Sequence, residues 1–395
     1  MNSVLLLVNA GSSSLKLSLC DSASGEPLAA ALVDWSSANT VLTLEKDGEK
    51  DRRPVTFKGA LEAFKGALPE ISKQLPHGSK IEAIGHRVVH GGDLAEGQVI
   101  TDKVLETLHN LTALAPLHNP PSLAAIYAAK EIYPDIPHVA VFDTAFHRTM
   151  RPEAAQYAVP PQWSGEWKIK RYGFHGLSYS YCAGRAAELL NRPLEELRLI
   201  VCHLGHGCSV CAISGGSSVD TTMGFTPLEG LMMATRSGNI DVGAVLYAQD
   251  AHKLGASELS AILNSQSGLL GVSGVSADMR QVMAAADQGD SNAKLAIDMF
   301  CYRIQQAIGS LLVSLGGVDA LVFTAGIGEN SALIREQICR GLSFLGFELD
   351  QGKNGSAAID TDVAAAQSPS RILVIAARED ISMLQEVRRA VSMCS

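Results

Sequence analysis

A short apolar strand, a polar turn containing glycine and a second strand occur in this order twice in the sequence. In the first copy, the apolar run 4–8 leads through the turn 9–14 into the alternating run 15–19. In the second copy, the run 199–202 leads through the turn 203–207 into the run 208–213. Because the strand-like alternation of side chains resumes directly after each turn, both segments are predicted to be β-hairpins and not strand-to-helix phosphate loops. A pair at this separation indicates a duplicated domain, although a single polar hairpin turn is common.

The rest of the pattern alternates between strands and helices. Apolar runs predict strands over 81–90, 139–142, 320–324 and 371–376, and the turn-rich segment 21–57 predicts further strands of the first sheet. Apolar residues at helical spacing predict helices over 58–74, 120–132, 299–315 and 380–393, with another from Ser331 onward. This alternation places the chain in the α/β class. No long linker interrupts it, so we expect two domains packed closely around a cleft.

Composition narrows the class of protein further. A length of 395 residues exceeds what one core normally supports, which favours two domains. The net charge of −9 argues against nucleic acid or an anionic membrane as the main partner. No basic leader or apolar span is present, and eight scattered cysteines are typical of reduced thiols. We therefore expect a cytoplasmic protein.

The turn of the first hairpin carries an amide, two hydroxyls and a cation, on Asn9, Ser12, Ser14 and Lys16. Phosphate oxygens and the water shell of magnesium are bound by such a mixture, and glycine-bearing turns expose backbone N–H groups to anions. Taken alone, the same residues also suit a capped turn with a solvated lysine. The two hairpin turns together indicate a site that holds phosphates.

Two arginines lie in unusual sequence contexts. Arg87 interrupts a strand of apolar residues that ends in Gly91-Gly92, and Arg236 lies among small residues in a glycine-dense stretch. A buried arginine is costly unless an anion or a carboxylate meets it. Two such groups suit the charge that develops on a transferring phosphoryl group, whereas each alone would more often form a surface salt bridge.

Histidines and acids add further candidates. His118 and His175 lie in predicted turns, and His175, flanked by glycines and an aromatic residue, is the better donor to an anion. Asp143 follows a buried strand, the position where α/β proteins place functional acids. Glu379 follows the final strand, where it would also be favourable simply as a charge at a helix N-terminus.

Two further patterns resemble binding motifs, one for a nucleotide and one for zinc. Gly326-Ile327-Gly328 follows a strand and precedes a helix, as in nucleotide-binding turns. His203, His206, Cys208 and Cys211 have the composition of a zinc site. However, these four residues span a hairpin turn, and the two cysteines, three apart on a strand, point to opposite faces. Zinc or dithiol chemistry is therefore disfavoured.

Taken together, these segments resemble the acetate kinase family, carboxylate phosphotransferases of the superfamily that includes actin and the sugar kinases. The resemblance extends in order from residue 8 to residue 380. The matching stretches are VNAGSSSLK, HRVVHGG, APLHNPP, VFDTAFH, RYGFHG, CHLGHG, VDTTMGFTPLEGL, TRSG, TAGIGEN and the closing RED. It implies two actin-like (ribonuclease H-like) α/β domains with a nucleotide and substrate cleft between them. The first would comprise 1–149 completed by 376–395, and the second 150–375.

The resemblance implies reversible, direct in-line transfer of a phosphoryl group between ATP and acetate, giving acetyl phosphate and ADP. Position by position, it assigns Asn9 and Glu379 to magnesium (or manganese), Arg87 to the substrate and Asp143 to proton donation or acceptance. His175 and Arg236 would stabilise the transition state, with His118 lining the same site. The acyl pocket would be formed by Val89, Leu117, Phe174 and Pro227.

The nucleotide would be bound by three segments of the second domain, with Ser12, Ser14 and Lys16 near its phosphates. These segments are His203, Leu204, Gly205, His206 and Gly207; Asp278, Met279 and Arg280; and Gly326, Ile327, Gly328, Glu329 and Asn330. The chain departs from the family pattern at His206, where asparagine is usual, and at Arg378, which precedes Glu379. Family members are typically homodimers joined through the second domain.

Three alternatives remain beside an acetate kinase. A propionate kinase would share every catalytic residue and differ only in the volume of the acyl pocket. A non-catalytic actin-like ATP-binding protein would not need Arg87, His175 and Arg236. A zinc or thiol-redox protein would bind a stoichiometric metal or form a reversible disulfide.

Overall fold

The computed structural model describes residues 3–11, 13–35, 39–115 and 118–393 of the chain. The chain forms two compact units, a first unit of Met1–Ala145 with Arg378–Ser395 and a second unit of Phe146–Ala377. Each unit contains one β-sheet with helices packed against it, which confirms the α/β class. Leu117 and Ser12, two of the predicted site residues, lie outside the described residues.

The first unit is built on an eight-stranded sheet in the order β5-β4-β3-β2-β1-β6-β8-β7. Its strands are β1 Ser3–Ala10, β2 Ser14–Asp21, β3 Pro27–Asp34, β4 Val41–Lys46, β5 Glu49–Pro54, β6 Lys80–Val88, β7 Gln98–Val99 and β8 His138–Phe142. Its first three helices are α1 Gly59–Ser72, α2 Asp102–Asn110 and α3 Asn119–Ile132. The predicted extra strands within 21–57 are thus confirmed as β3, β4 and β5.

The second unit is built on a six-stranded sheet in the order β11-β10-β9-β12-β14-β13. Its strands are β9 Arg198–Leu204, β10 Cys208–Ser214, β11 Ser217–Thr221, β12 Ala320–Thr324, β13 Thr361–Asp362 and β14 Arg371–Val374. Its helices are α4 Pro152–Ala155, α5 Pro161–Gly165, α6 Gly176–Leu190, α7 Val242–His252, α8 Ala256–Ser265, α9 Gly268–Ser273, α10 Met279–Asp287, α11 Ser291–Leu315, α12 Ala325–Asn330, α13 Ala332–Gly341 and α14 Gln351–Gly355.

Both predicted hairpins are present, and each has the same place in its sheet. Strands β1 and β2 pair antiparallel, and β1 also pairs with β6 in parallel. In the second unit β9 pairs antiparallel with β10 and in parallel with β12. Because the hairpin and its parallel neighbour recur in the same order, the repeat read from the sequence corresponds to a repeated sheet topology.

The closing helix, α15 Glu379–Ser392, returns to the first unit and packs on β6 and β8. Its buried residues Met383, Leu384 and Val387 follow helical spacing and form one apolar face. Gly85 on β6 allows the close approach, since a Cβ at that position would lie 2.5 Å from a methyl carbon of Val387. This packing fixes the start of α15, and with it Glu379, beside the carboxyl ends of β6 and β8.

Two predicted elements differ from the structure. The long helix α11 begins at Ser291, eight residues before the predicted start, because Asp290 caps it by accepting from the N–H groups of Asn292 and Ala293. The predicted glycine turn at 326–328 is helical, since α12 begins directly after β12 with Ala325 at a φ of 63°. A glycine pair in this context predicted an open turn, but the left-handed Ala325 makes the bend instead.

No helix among the described residues is long and apolar enough to cross a membrane.

Candidate active site

Arg87 and Asp143 form a paired site at one edge of the first sheet. Because β6 and β8 are parallel neighbours, their carboxyl ends lie at the same edge, and Asp143 comes directly after β8. Arg87 donates from Nε to Oδ1 of Asp143 at 2.8 Å and from Nη2 to Oδ2 at 2.6 Å. Both oxygens of this buried carboxylate are therefore engaged by one guanidinium, in the fork geometry that arginine favours.

The remaining amino group of Arg87 faces two further oxygen ligands. Nη1 donates to Oδ1 of Asn9 at 3.3 Å and lies 3.4 Å from Oε2 of Glu379. Burial would lower the pKa of Arg87, but the charges of Asp143 and Glu379 raise it above its ordinary value. Burial raises the pKa of Glu379, which the positive charge of Arg87 opposes. Asn9, Arg87, Asp143 and Glu379 thus form one cluster.

The turn of the first hairpin lies next to this cluster. Gly11 donates its N–H to the carbonyl of Ser14 at 2.8 Å, which closes the turn, and Asn9 pairs with Lys16 across the two strands. Lys16 is exposed, and its charge is among those that lower the pKa of Glu379. Lys16 therefore adds a positive charge to the surroundings of Glu379.

The segment after β6 is held in place by Asn119. This fully buried side chain accepts from the N–H of His90 at 3.2 Å and donates to the carbonyl of His90 at 3.1 Å. Val89 precedes that clamp and is half-buried, and His118 precedes Asn119 at the start of α3. Asn119 therefore holds the backbone of His90, and the predicted residues Val89 and His118 are the chain neighbours that precede the two partners of this clamp.

His175 is the best-defined candidate of the second unit. It precedes α6 in the left-handed conformation, with φ 60° and ψ 22°, a strain that non-glycine residues adopt mainly where the surroundings enforce it. His147 donates from Nε2 to the carbonyl of Phe174 at 2.9 Å, which anchors the preceding residue. The His175 ring stacks on that of His203, with centroids 4.0 Å apart and planes at 18°.

Arg236 lies close to the same imidazole. A Cβ built on Gly207 would lie 3.3 Å from Nε2 of His175 and 3.6 Å from Nη1 of Arg236. Arg236 donates from Nη1 to the carbonyl of Pro227 at 3.3 Å, and burial lowers the pKa of its guanidinium. Nε2 of His175 and Nη1 of Arg236 therefore both lie near one point beside Gly207, in the second hairpin turn.

The remaining residues of that turn become more exposed toward its tip. His203 and Leu204 are buried, whereas His206 is exposed at the tip and its carbonyl accepts from the N–H of Ala234 at 3.2 Å. Loss of hydration around its ring, and secondly the charge of Arg236, lower the pKa of His206. His206 is thus an exposed group within the influence of Arg236.

The segment 326–330 is organised by a buried arginine that the sequence did not reveal. Arg335 is 2% exposed and donates from Nη1 to the carbonyls of Gly328 at 2.9 Å and Glu329 at 2.8 Å. It also donates from Nε to the side chain of Asn354 at 2.7 Å. A cation at the carbonyl end of α12 satisfies groups that a helix terminus leaves unpaired.

The segment 278–280 differs from the others. Asp278 caps α10 by accepting from the N–H of Arg280, and the two side chains form an ion pair at 2.5 Å. The Arg280 side chain is 89% exposed, whereas Met279 is buried. Among the described residues, the side-chain hydrogen bonds and ion pair of this segment are local, since they join residues within 276–280.

The cysteines of the second hairpin have ordinary structural contacts. Cys208 donates to the carbonyl of Gly205, whereas Cys211 lies 3.4 Å from the hydroxyl of Ser218. Burial raises the pKa of the Cys208 thiol to about 12 and that of Cys211 also above its ordinary value. Within the described residues, no cluster of three or more histidine, cysteine or acidic side chains could hold a metal ion.

Several supporting residues were not assigned a role of their own from the sequence. Ser209 and Tyr179 lie behind His175, and Arg171 donates to the carbonyls of 221–223 and to Glu229 at 2.7 Å. Arg171 thereby holds the loop that carries Pro227, the partner of Arg236. Their supporting role follows from their neighbours in space, which the order of residues along the chain does not show.

Comparison with known proteins shows which family this chain matches. The model of the Acetokinase family matches residues 4–385. An acetate kinase of Rippkaea orientalis is 47% identical over 396 residues, covering 97% of this chain and 98% of that protein. An acetate kinase of Microcystis aeruginosa is 46% identical over 397 residues, with the same coverage of 97% and 98%.

Solved structures give the same result. A propionate kinase from Francisella tularensis superposes with a TM-score of 0.92 at 39% identity, covering 98% of this chain and 99% of its own. The acetate kinase of Porphyromonas gingivalis superposes with a TM-score of 0.89 at 35% identity, covering 98% and 100%.

Proposed function

The chain belongs to the acetokinase family, and from this premise we propose that it catalyses reversible, magnesium-dependent phosphoryl transfer between ATP and acetate. It is a kinase with a carboxylate acceptor, it uses ATP and ADP as co-substrates, and its fold is the two-domain actin-like fold. The residue roles below are part of the proposal.

The reaction is a direct in-line displacement. A carboxylate oxygen of acetate attacks the γ-phosphorus, and a new P–O bond forms as the bond to the β,γ-bridging oxygen breaks. The electron pair of that bond leaves with ADP, and acetyl phosphate is the other product. A carboxylate is already nucleophilic at neutral pH, so the protein mainly positions the reactants and compensates charge.

The pairing of Arg87 with Asp143 is the observation that carries this proposal. A guanidinium held in a fixed orientation by two hydrogen bonds is suited to bind the acceptor carboxylate or the transferring group. Since both oxygens of Asp143 are already engaged, its role is to orient Arg87, and no proton transfer through Asp143 is required.

Asn9 and Glu379 suit magnesium. The donor set is an amide oxygen and one carboxylate beside a hydroxyl-bearing turn, and magnesium prefers oxygen ligands while retaining several waters. The residues present therefore fit the ion, and bound there it would neutralise charge on the nucleotide phosphates. Lys16 and Ser14 would bind phosphate oxygens directly, and Ser12 is assigned the same role.

The second unit supplies the charge compensation for the γ-phosphoryl group. We assign His175 and Arg236 to the oxygens that gain charge in the transition state, because both approach one point above Gly207. The turn His203–Gly207 and the helix α12 bind the nucleotide, with Asp278–Arg280 as a third, more exposed contact. His118 lines the acceptor side.

A propionate kinase is the second candidate, favoured by the similarity to the Francisella structure. The two activities differ in the acyl pocket, assigned to Val89, Leu117, Phe174 and Pro227. One methylene is worth only about 1–3 kcal/mol of discrimination, so we expect overlapping substrates with acetate preferred.

A hydroxamate assay for acyl phosphate tests both candidates. Purified protein with ATP and magnesium is incubated with acetate, propionate or butyrate in parallel, with an Arg87→Ala variant as the control. We expect acyl phosphate from acetate at the highest kcat/KM, and none above background from the variant. The absence of any product from the wild-type protein would refute the proposed activity, and a higher kcat/KM for propionate would favour the second candidate.

We also propose that the protein is a cytoplasmic homodimer joined through the second unit. Helix α7 has no buried residue in the single chain, and Val242, Leu246 and Tyr247 are 71%, 56% and 68% exposed. Apolar side chains clustered in this way mark an interaction surface, which a second copy would cover. The cysteines of the described residues are free thiols, as in a reducing compartment.

A further inference from the structure

Behind His175 lies a chain of hydroxyl groups that no assigned role accounts for. Nδ1 of His175 is 2.8 Å from Oγ of Ser209, and the same Oγ is hydrogen-bonded to the phenol of Tyr179. Ser209 and Tyr179 are both fully buried, so water does not compete for these bonds. We propose that Tyr179 and Ser209 are positioning residues that fix the tautomer of His175 with its proton on Nε2. The tautomer is argued from the hydrogen bonds alone, and only the catalytic use of the Nε2 proton rests on the proposed function.

The direction of the chain follows from counting protons. Within the described part of the chain, Ser209 is the hydrogen-bond partner of the Tyr179 phenol. A phenol has one proton to donate, and burial raises the pKa of Tyr179, so the proton stays on the oxygen. Ser209 must therefore accept from Tyr179, and its own proton is directed to Nδ1 of His175.

The opposite tautomer is disfavoured by the same count. If Nδ1 of His175 carried the proton, Oγ of Ser209 would accept from both neighbours, and its hydroxyl proton would be buried without an acceptor. An unsatisfied buried donor is more costly than a satisfied network. Nδ1 of His175 is therefore an acceptor, and the proton lies on Nε2.

Nε2 is the atom on the side of Gly207 and Arg236. A proton on Nε2 makes neutral His175 a hydrogen-bond donor toward that point, whereas the other tautomer would direct a lone pair at a phosphoryl oxygen. The orienting group is itself fixed, since the Tyr179 ring packs edge-on against His147 with centroids 5.6 Å apart. His147 also holds the carbonyl of Phe174, so one buried histidine supports both the backbone and the side chain of His175.

The substitution Tyr179→Phe tests the proposal, because it removes one oxygen and preserves the ring packing. Ser209 can then donate or accept, and both tautomers of His175 become accessible. We expect kcat to fall about 3- to 30-fold with little change in KM for ATP, well short of the roughly 10⁴-fold loss seen when a catalytic imidazole is held in the wrong tautomer. Ser209→Ala, which removes the partner of Nδ1 altogether, should lower kcat further.

Tyr172→Phe is the matched control. The Tyr172 hydroxyl is also hydrogen-bonded within the second unit, but it donates to the backbone carbonyl of Lys168 at 2.9 Å, whereas the Tyr179 hydroxyl bonds to the side chain of Ser209. This variant should retain the wild-type kcat, and thermal unfolding should show that all three variants fold. Equal losses of kcat in Tyr172→Phe and Tyr179→Phe would overturn the positioning role.

Nuclear magnetic resonance of protein labelled with ¹⁵N-histidine supplies a readout that does not depend on activity. His175→Gln assigns the His175 signals, and the shifts are recorded at a pH where titration shows the ring to be neutral. We expect a protonated Nε2 in the wild-type protein and averaged shifts in Tyr179→Phe. A protonated Nδ1 in the wild-type protein, or unchanged shifts in the variant, would refute the proposal. Failure of the hydroxamate assay would refute the kinase activity and leave this result standing.

Discussion

At the scale of single residues, the proposed chemistry depends on residues that hold the assigned side chains in one orientation. Asp143 is a buried carboxylate with both oxygens on Arg87, and Ser209 stands in the same relation to His175. In both cases a flexible or ambiguous side chain, a guanidinium or an imidazole, is restricted to one orientation. Catalysis of phosphoryl transfer depends mainly on such positioning, because little covalent chemistry falls to the protein.

His206 gives a prediction at this scale, as the residue by which the second hairpin turn departs from its family. In the proposed nucleotide site, a protonated His206 would add a cation beside the phosphates, and a neutral His206 would be one donor among several. Its pKa lies below the ordinary 6.5, so the cation is present only in acid and is lost as the pH rises through that lowered pKa. KM for ATP should therefore be lowest below pH 6.5, rise with pH there and level off near neutrality.

The substitution His206→Asn provides the comparison, since it restores the residue usual in the family. Steady-state measurements of KM for ATP from pH 5.5 to 8 should give a flatter profile for this variant, with KM for acetate nearly unchanged. The titration of ATP itself is common to both proteins and cancels. Superimposable profiles would mean that His206 points away from the nucleotide.

At the scale of elements, α12 shows how a short helix is held in place by a distant side chain. Its six residues carry little stability of their own, and the carbonyls of Gly328 and Glu329 are satisfied by Arg335 from the following helix. Glu329 in turn accepts from the N–H of Ala377 at 2.8 Å. The shape of the proposed nucleotide segment is therefore fixed by residues outside it.

Arg335→Met should remove this support while preserving the length of the side chain. Several buried carbonyls would lose their donors, at about 1–3 kcal/mol for each group left unsatisfied. We expect a lower free energy of unfolding and a KM for ATP that rises more than KM for acetate. Denaturant titrations and steady-state kinetics measure both quantities.

Arg340→Met is the control for that experiment, because Arg340 lies on the same helix but is exposed. It should leave both KM values and the free energy of unfolding nearly unchanged. If Arg335→Met destabilises the protein yet raises both KM values equally, α12 has no special relation to the nucleotide.

At the scale of the whole molecule, one chain contains the same strand arrangement twice, and the two copies carry different polar side chains. The first unit brings together Asn9, Arg87, Asp143 and Glu379, which suit a carboxylate substrate and a divalent cation. The second brings together His175, His203 and Arg236, which suit an anion gaining charge. A shared topology with different side chains at the hairpin turns is thus enough to divide the proposed roles.

The proposed homodimer gives a prediction at this scale. Leu246→Glu with Val242→Glu places charges on the exposed apolar part of α7, where a single chain would tolerate them. Light scattering coupled to size-exclusion chromatography should report a dimer for the wild-type protein and a smaller mass for the double variant. As a control, a single charge on exposed Leu61 of α1, introduced as Leu61→Glu, should leave the mass unchanged. A monomeric wild-type protein, or a variant that remains dimeric, would contradict the assignment to α7.

The sequence by itself determined the α/β class, both hairpins, most of the strands and the ordered motifs of the family. These features depend on local information: the period of apolar residues, the residues that favour turns and the order of short motifs. Local information also placed Arg87 correctly within a strand and Asp143 directly after one, and parallel strands bring their carboxyl ends to one edge. It erred at Gly326–Gly328, where a left-handed Ala325 made an expected turn helical.

Only the tertiary structure decided which polar side chains form hydrogen bonds or ion pairs with each other. Tyr179, Ser209 and His175 are up to 34 residues apart, and Arg335 reaches Asn354 from 19 residues away. Tyr179 lies between two serines and Asn354 lies in a polar segment, so the local pattern does not distinguish either residue from its neighbours. A buried hydrogen bond constrains both of its partners, and which one donates depends on all the polar groups around them. The order of residues along the chain does not specify those spatial neighbours.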